Sequence, residues 1–262
     1  MNIQYHKHWS KNLNRVIEYK VYGTDGQGVL VFPSQNQRFY EWEDNGMISA
    51  LSPMIESGHI HIICCDSIDS ETWSNGVNGK NITYVSDFEK SRYHDRIALH
   101  EKWYNYIIEE LIPEVNNGEQ LIVAGCSMGG YHGGNLFFRR PDLFCAMLSL
   151  SGLFHANYFF PQYDDELIYL NSPIDFLNGQ HNTSILLNQY KDKLIICCCG
   201  QGEHEEITGA STRRLQKILA NAGINGIFDF WGTDVNHDFY WWRKQAVYFF
   251  DKIINNKYRK VA

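Results

Sequence analysis

Residues 121–130 read Leu-Ile-Val-Ala-Gly-Cys-Ser-Met-Gly-Gly. An apolar run ends at Gly125, Ser127 stands between two glycines as Gly-x-Ser-x-Gly, and a helix-like stretch follows at once. That is the layout of a nucleophile elbow, a sharp strand-to-helix turn that holds a serine hydroxyl clear of the backbone. Such a turn brings the residues two before and two after the serine against neighbouring backbone. Gly125 and Gly129 remove the side chains that would collide there. The pentapeptide alone is a weak signal, because glycine-rich loops are common. The strand before it and the helix after it give it weight.

Outward from the elbow, short apolar runs recur at 29–32, 59–65, 146–150, 194–199 and 227–231. Near-continuous apolar strands of this length suit a parallel sheet covered on both faces. Residues 14–22 alternate instead, which predicts a half-exposed antiparallel strand. Helical spacing appears between the runs. Trp103, Ile107, Ile108 and Leu111 share one face, as do Leu215, Ile218, Leu219 and Ala222 after a start signal at Ser211/Thr212. Trp242, Ala246, Phe249, Phe250 and Ile253 form the last stripe. Strand and helix alternate throughout, so the chain reads as one α/β domain over 1–262, with a mostly parallel central sheet and helices on both faces. Residues 155–192 break the rhythm. They are rich in Tyr, Phe, Asn and Asp, follow a strand, and are expected to form an insertion that shapes a pocket.

Composition narrows the function classes. The chain has 262 residues, 44% hydrophobic and 20% charged, which suits a globular domain with a sizeable core. A formal charge of −7 without a basic stripe argues against nucleic acid as a partner. The basic cluster at Lys257, Arg259 and Lys260 reads as a solvated terminus. Residues 1–12 are polar, with no apolar core of a secretory signal, and no stretch is long enough for a membrane span. Seven cysteines, an odd number, lie mostly inside apolar runs. Neighbours such as Cys64 and Cys65, or Cys197, Cys198 and Cys199, point alternately to opposite faces of a strand and cannot form a simple disulfide framework. Reduced, buried thiols and a cytoplasmic location are the expectation.

A serine hydroxyl needs a base, and the base needs a partner that fixes its tautomer. On an elbow fold the chain order is Ser, then Asp or Glu, then His. Both partners follow late strands. The run ending at Cys199 opens into Gly-Gln-Gly-Glu-His-Glu-Glu, with carboxylates at Glu203, Glu205 and Glu206. The run ending near Trp231 opens into a loop carrying His237 just before the final helix. His204 is the next candidate base. An oxyanion hole would take one backbone N–H from Met128 and a second from the loop after an early strand, at Gln35 or, next, Ser34. Cys126 neighbours the nucleophile but would point into the core. Trp73 is a candidate pocket residue. His59 and His61 share a strand face without a matched second pair, and no metal or cofactor is expected.

These residues resemble the putative-esterase family of the α/β-hydrolase superfamily, which includes esterase D (S-formylglutathione hydrolase), feruloyl esterases, enterochelin-type esterases and the mycolyltransferase antigens. The resemblance runs from about Val29 to about Phe250. It is carried by Gly125-Cys-Ser-Met-Gly-Gly130, by Phe137-Phe-Arg-Arg-Pro-Asp-Leu-Phe144, by Leu148-Ser-Leu-Ser-Gly152 and by Asn236-His-Asp-Phe-Tyr-Trp-Trp-Arg243. Asn236 stands where the family usually has glycine, and the early loop Ser34-Gln-Asn-Gln37 lacks its glycine-rich stretch. The resemblance implies an α/β-hydrolase fold and hydrolysis of a small-molecule ester through an acyl-enzyme. For the acid, Gly-Gln-Gly-x-x-Glu resembles family members with the carboxylate at Glu205, while the wider family's Gly-x-x-Asp spacing favours Glu203. Acyl transfer to another alcohol, and a non-catalytic binding protein on the same fold, are the competing readings.

Overall fold

A computed structural model describes residues 1–74, 86–179 and 184–259. Lys260 of the basic tail and residues 180–183 of the expected insertion lie outside these. Eight strands form one sheet among the described residues: β1 (Ile3–Ser10), β2 (Arg15–Tyr22), β3 (Gln27–Phe32), β4 (Ile60–Cys65), β5 (Leu121–Cys126), β6 (Phe144–Leu150), β7 (Leu194–Cys199) and β8 (Ile227–Phe230). Their order is β1-β2-β4-β3-β5-β6-β7-β8. The pairs β1/β2 and β2/β4 are antiparallel and all others are parallel. The helices are α1 (Glu41–Asp44), α2 (Met47–Glu56), α3 (Asp87–Tyr106), α4 (Ile112–Val115), α5 (Met128–Arg139), α6 (Glu166–Leu170), α7 (Pro173–Gly179), α8 (Ser184–Lys191), α9 (Glu206–Asn221) and α10 (Phe239–Arg259). One π turn, Ile107–Leu111, joins α3 to α4.

Strand alternation sorts the apolar runs into two cores. Leu30, Phe32, Val123, Met147, Ile195 and Cys197 face Trp103, Leu136, Phe137, Leu215 and Leu219, so α3, α5 and α9 cover that side. Their immediate neighbours Val29, Val31, Ile122, Ala124, Ile196 and Cys198 face Leu51, Ile55, Trp242, Phe249 and Phe250 from α2 and α10. Every residue of β3 and β5 is buried, which is why those runs carry no polar alternation. None of the seven cysteines forms a disulfide, and Cys145 alone is not fully buried.

The sequence reading missed strand β1 and helix α2, and placed the start of α9 too late. The N-terminal stretch forms edge strand β1, although Ile3, Tyr5 and Trp9 stay exposed. Its covered face carries the polar His6, His8 and Ser10, so the usual apolar-inward pattern is absent. Helix α9 begins at Glu206, five residues before the expected start signal. Ser211 lies inside it, where its hydroxyl accepts a hydrogen bond from Phe154 N at 2.8 Å.

Parallel strands all end at the same edge. The loops after Phe32, Cys65, Cys126, Leu150, Cys199 and Phe230 therefore converge, and they carry Gln35, Trp73, Ser127, Ser151, Glu205 and His237. The segment beyond β6 leaves from this edge as a short 3₁₀ turn, Ala156–Tyr158, followed by α6, α7 and α8.

Candidate active site

Ser127 links β5 to α5 with φ 54° and ψ −119°, a conformation that costs an L-residue energy. Its N–H donates to Leu150 O at 2.8 Å, which ties the turn to the neighbouring strand. The glycines are required by contact. A Cβ on Gly125 would lie 2.3 Å from the Gly129 carbonyl carbon, and one on Gly129 would lie 2.2 Å from Phe32 O. Backbone cannot yield as a side chain can, so Gly129→Ala is expected to destabilise the fold by about 3 kcal/mol or more, read by urea unfolding. A variant of unchanged stability would mean that the early loop does not press on the elbow.

His237 meets Ser127 from the opposite side. Its Nε2 lies 2.9 Å from Ser127 Oγ. Its Nδ1 lies 3.4 Å from Glu205 Oε2. The second distance exceeds that of a well-formed N–H···O bond, and Nδ1 has no closer partner among the described residues. Long contacts of this kind commonly tighten when a ligand arrives. The imidazole packs edge-on against Trp242, with ring centroids 4.8 Å apart.

The two candidate glutamates have opposite surroundings. The Glu205 side chain is 1% exposed and that of Glu203 is 73% exposed. Glu205 accepts from Ser151 Oγ at 2.5 Å, from Thr208 Oγ1 and from Gly200 N at 3.3 Å. Ser151 Oγ in turn accepts from Trp242 Nε1 at 3.0 Å. Burial acts to raise the Glu205 carboxyl, but the nearby His237 imidazole and the hydrogen bonds from Ser151 and Thr208 outweigh it and hold the group below the usual carboxylate range. Glu203 points to solvent beside His204, at 3.4 Å. Its backbone does the positioning: Glu203 O accepts from His237 N at 3.1 Å, and Glu203 N donates to Asn236 Oδ1 at 2.9 Å. The His204 side chain is exposed beside Glu203.

A depressed carboxyl stabilises the folded state at every pH above its ordinary pKa, and that contribution is lost as pH falls through the depressed value. The stability gap between the parent and Glu205→Gln is therefore expected to be largest at pH 6–7 and to shrink at pH 3, measured by urea unfolding at both. A gap independent of pH would show that Glu205 is not ionised in the fold.

Met128 opens α5, so its N–H has no carbonyl within the helix to pair with. On the facing loop, Ser34 N donates to Glu41 Oε2 at 2.7 Å, so that N–H is occupied. Gln35 N carries no hydrogen bond among the described residues, and the Gln35 side chain is tied to Ser74 Oγ at 2.8 Å. Cys126 is fully buried, and burial pushes its thiol well above the ordinary value, so it offers no thiolate beside the serine. Trp73 is not a pocket residue. It is completely buried among Tyr131, Phe159 and Phe160, and donates through Nε1 to His100 Nδ1 at 3.0 Å.

Thr208 and Glu41 went unread in the sequence, Ser151 was read only within the Leu148–Gly152 motif, and Trp242 only as part of the last helical stripe and of the segment around His237. The Ser-Gly pair at the end of β6 was the local sign of Ser151. Among the described residues no group of three His, Cys, Asp or Glu could hold a metal ion. His59 pairs with Ser57 Oγ at 2.6 Å instead. A cavity of about 550 Å³, lined by Gln27, His59, Ile122, Ala146, Leu194 and Ile253, opens at the amino ends of the strands, the edge opposite Ser127. No helix of the described residues is long and apolar enough to cross a membrane.

Residues 10–249 match the family described as Putative esterase. No curated protein sequence matches the chain. Among solved structures the chain is similar to a ferulic acid esterase, at 16% identity over 94% of this chain and 95% of that one, TM-score 0.70. It is similar to an S-formylglutathione hydrolase from Agrobacterium tumefaciens, at 11% identity over 97% and 94%, TM-score 0.71. It is also similar to MPT51 of Mycobacterium tuberculosis, at 13% identity over 97% and 98%, TM-score 0.70. At these identities the likeness establishes the shared α/β-hydrolase fold.

Proposed function

We propose, from the premise that the chain belongs to the Putative esterase family and is a carboxylic ester hydrolase, that it works through a covalent acyl-enzyme formed on Ser127. The reading rests above all on one arrangement: His237 Nε2 at 2.9 Å from Ser127 Oγ, with the buried Glu205 carboxylate behind Nδ1. Ser127 Oγ attacks the ester carbonyl carbon while His237 Nε2 takes its proton. Negative charge gathers on the former carbonyl oxygen, where the N–H groups of Met128 and Gln35 hold it. The tetrahedral species collapses as the C–O bond to the alcohol breaks, and His237 returns its proton to the leaving oxygen. Water then repeats the sequence on the acyl-serine and releases the acid. Glu205 keeps the proton-bearing Nδ1 of His237 on its own side and stabilises the imidazolium, as the acid of such a triad does.

The substrate is a small-molecule ester, and no cofactor takes part. Seven cysteines outside any disulfide, six of them buried, support a cytoplasmic setting. A fluorophosphonate probe followed by intact-mass and peptide analysis tests the reading. One adduct on Ser127, lost in His237→Ala, is expected. Folded protein that takes up no probe would favour the non-catalytic alternative.

A further inference from the structure

Glu41 has no part in the chemistry above, yet the fold buries it: it is 4% exposed on the short helix α1. Both of its oxygens are spent on one residue. Oε2 accepts from Ser34 N at 2.7 Å, and Oε1 accepts from Ser34 Oγ. Ser34 directly precedes Gln35, the residue whose N–H the reaction needs. The next peptide is fixed as well, because Ser34 O accepts from Gln37 N at 3.0 Å across a turn in which Asn36 has φ 63°. In a planar trans peptide the C=O and the following N–H point in opposite directions. With Ser34 O turned into the loop, the Gln35 N–H is turned out of it. The loop's other end is anchored too, by Arg38 on Asp66 at 2.8 Å and 2.9 Å and by Phe39 N on Asp66 Oδ1 at 3.0 Å.

We propose that Glu41 is a positioning residue for ester hydrolysis: by holding the N–H and hydroxyl of Ser34 it aims the Gln35 N–H at the developing oxyanion. The inference rests on the serine-esterase reading. Burial raises the Glu41 carboxyl, and the two Ser34 bonds only partly oppose this. Charged or neutral, the side chain keeps an oxygen for Ser34 N, so an amide can replace it and a hydrocarbon cannot.

The test is Glu41→Leu beside Glu41→Gln, with active sites counted by fluorophosphonate titration so that rates refer to competent molecules. Loss of aim by about 1 Å costs on the order of 10²-fold in rate. Glu41→Leu is expected to lower kcat per titrated site about 100-fold with KM within about 3-fold, and to weaken a boronic acid inhibitor in parallel. Glu41→Gln is expected to recover activity to within about 10-fold of the parent. Should Glu41→Leu not fold, Glu41→Asp, which draws the carboxylate back by one methylene, is expected to show the same kcat-selective loss in smaller measure. A leucine or aspartate variant with parental kcat per site and parental boronate affinity overturns the proposal, as does a glutamine variant no better than leucine. Failure of the esterase reading looks different: the parent itself would neither take up the probe nor hydrolyse esters.

Discussion

Ser127→Ala is expected to fold like the parent and to lose ester hydrolysis by about 10⁴-fold or more in kcat. The substitution removes one oxygen and leaves a Cβ that the turn already accommodates at φ 54°. Alanine and serine pay similar backbone strain there, so circular dichroism and urea unfolding should superimpose on the parent. No neighbour can substitute for the hydroxyl. Cys126 is buried on the opposite side of the strand, with its thiol raised by burial. What remains should come from substrate binding and the oxyanion donors, which act without a nucleophile. Retention of a tenth of parental kcat, after exclusion of contaminating parent enzyme by mass spectrometry, would remove Ser127 from the nucleophile's place.

Glu205→Gln is expected to cost about 10³–10⁴-fold in kcat, whereas Glu203→Gln is expected to stay within about 3-fold of the parent. The amide preserves the shape of Glu205 and its bond from Ser151. It also presents an NH₂ group that can donate to His237 Nδ1. That stabilises the tautomer whose Nε2 carries a proton and cannot accept one from Ser127. Glu203 should be tolerant because its carboxylate is exposed, while its role in the loop is carried by main-chain atoms that the substitution keeps. The comparison is made at saturating substrate with sites counted by titration. A severe loss in Glu203→Gln beside a near-parental Glu205→Gln would invert the assignment.

How much of this was legible in the sequence depended on the range of the deciding contact. The elbow is local: Gly125 and Gly129 must lack side chains because the turn closes on itself and on Phe32, and the one residue between them free to carry a side chain outward is Ser127. The parallel strands announce themselves because burial on both faces leaves no polar alternation. Edge strand β1 was silent for the converse reason, since its apolar Ile3, Tyr5 and Trp9 face solvent and its covered face carries His6, His8 and Ser10. Trp73 was misread because a loop tryptophan near the site looks the same in sequence whether it lines a pocket or fills the core beneath it.

The fold class, the turn around Ser127 and the loop carrying His237 are legible in short runs whose spacing matches strand, turn and helix geometry. Which glutamate turns to His237, and which N–H of the early loop stays unoccupied, follows from contacts between segments that the tertiary structure brings together. Glu203 and Glu205 are two residues apart in one irregular loop, where no regular period relates spacing to direction. Glu205 is held by Ser151, at the end of β6, and by Thr208 in α9, and Ser151 is held in turn by Trp242 from α10. Likewise Ser34 is taken and Gln35 left because Glu41, seven residues on, folds back across the loop. Such choices depend on side-chain contacts among distant segments, and those contacts exist only once the sheet has brought its loops to one edge.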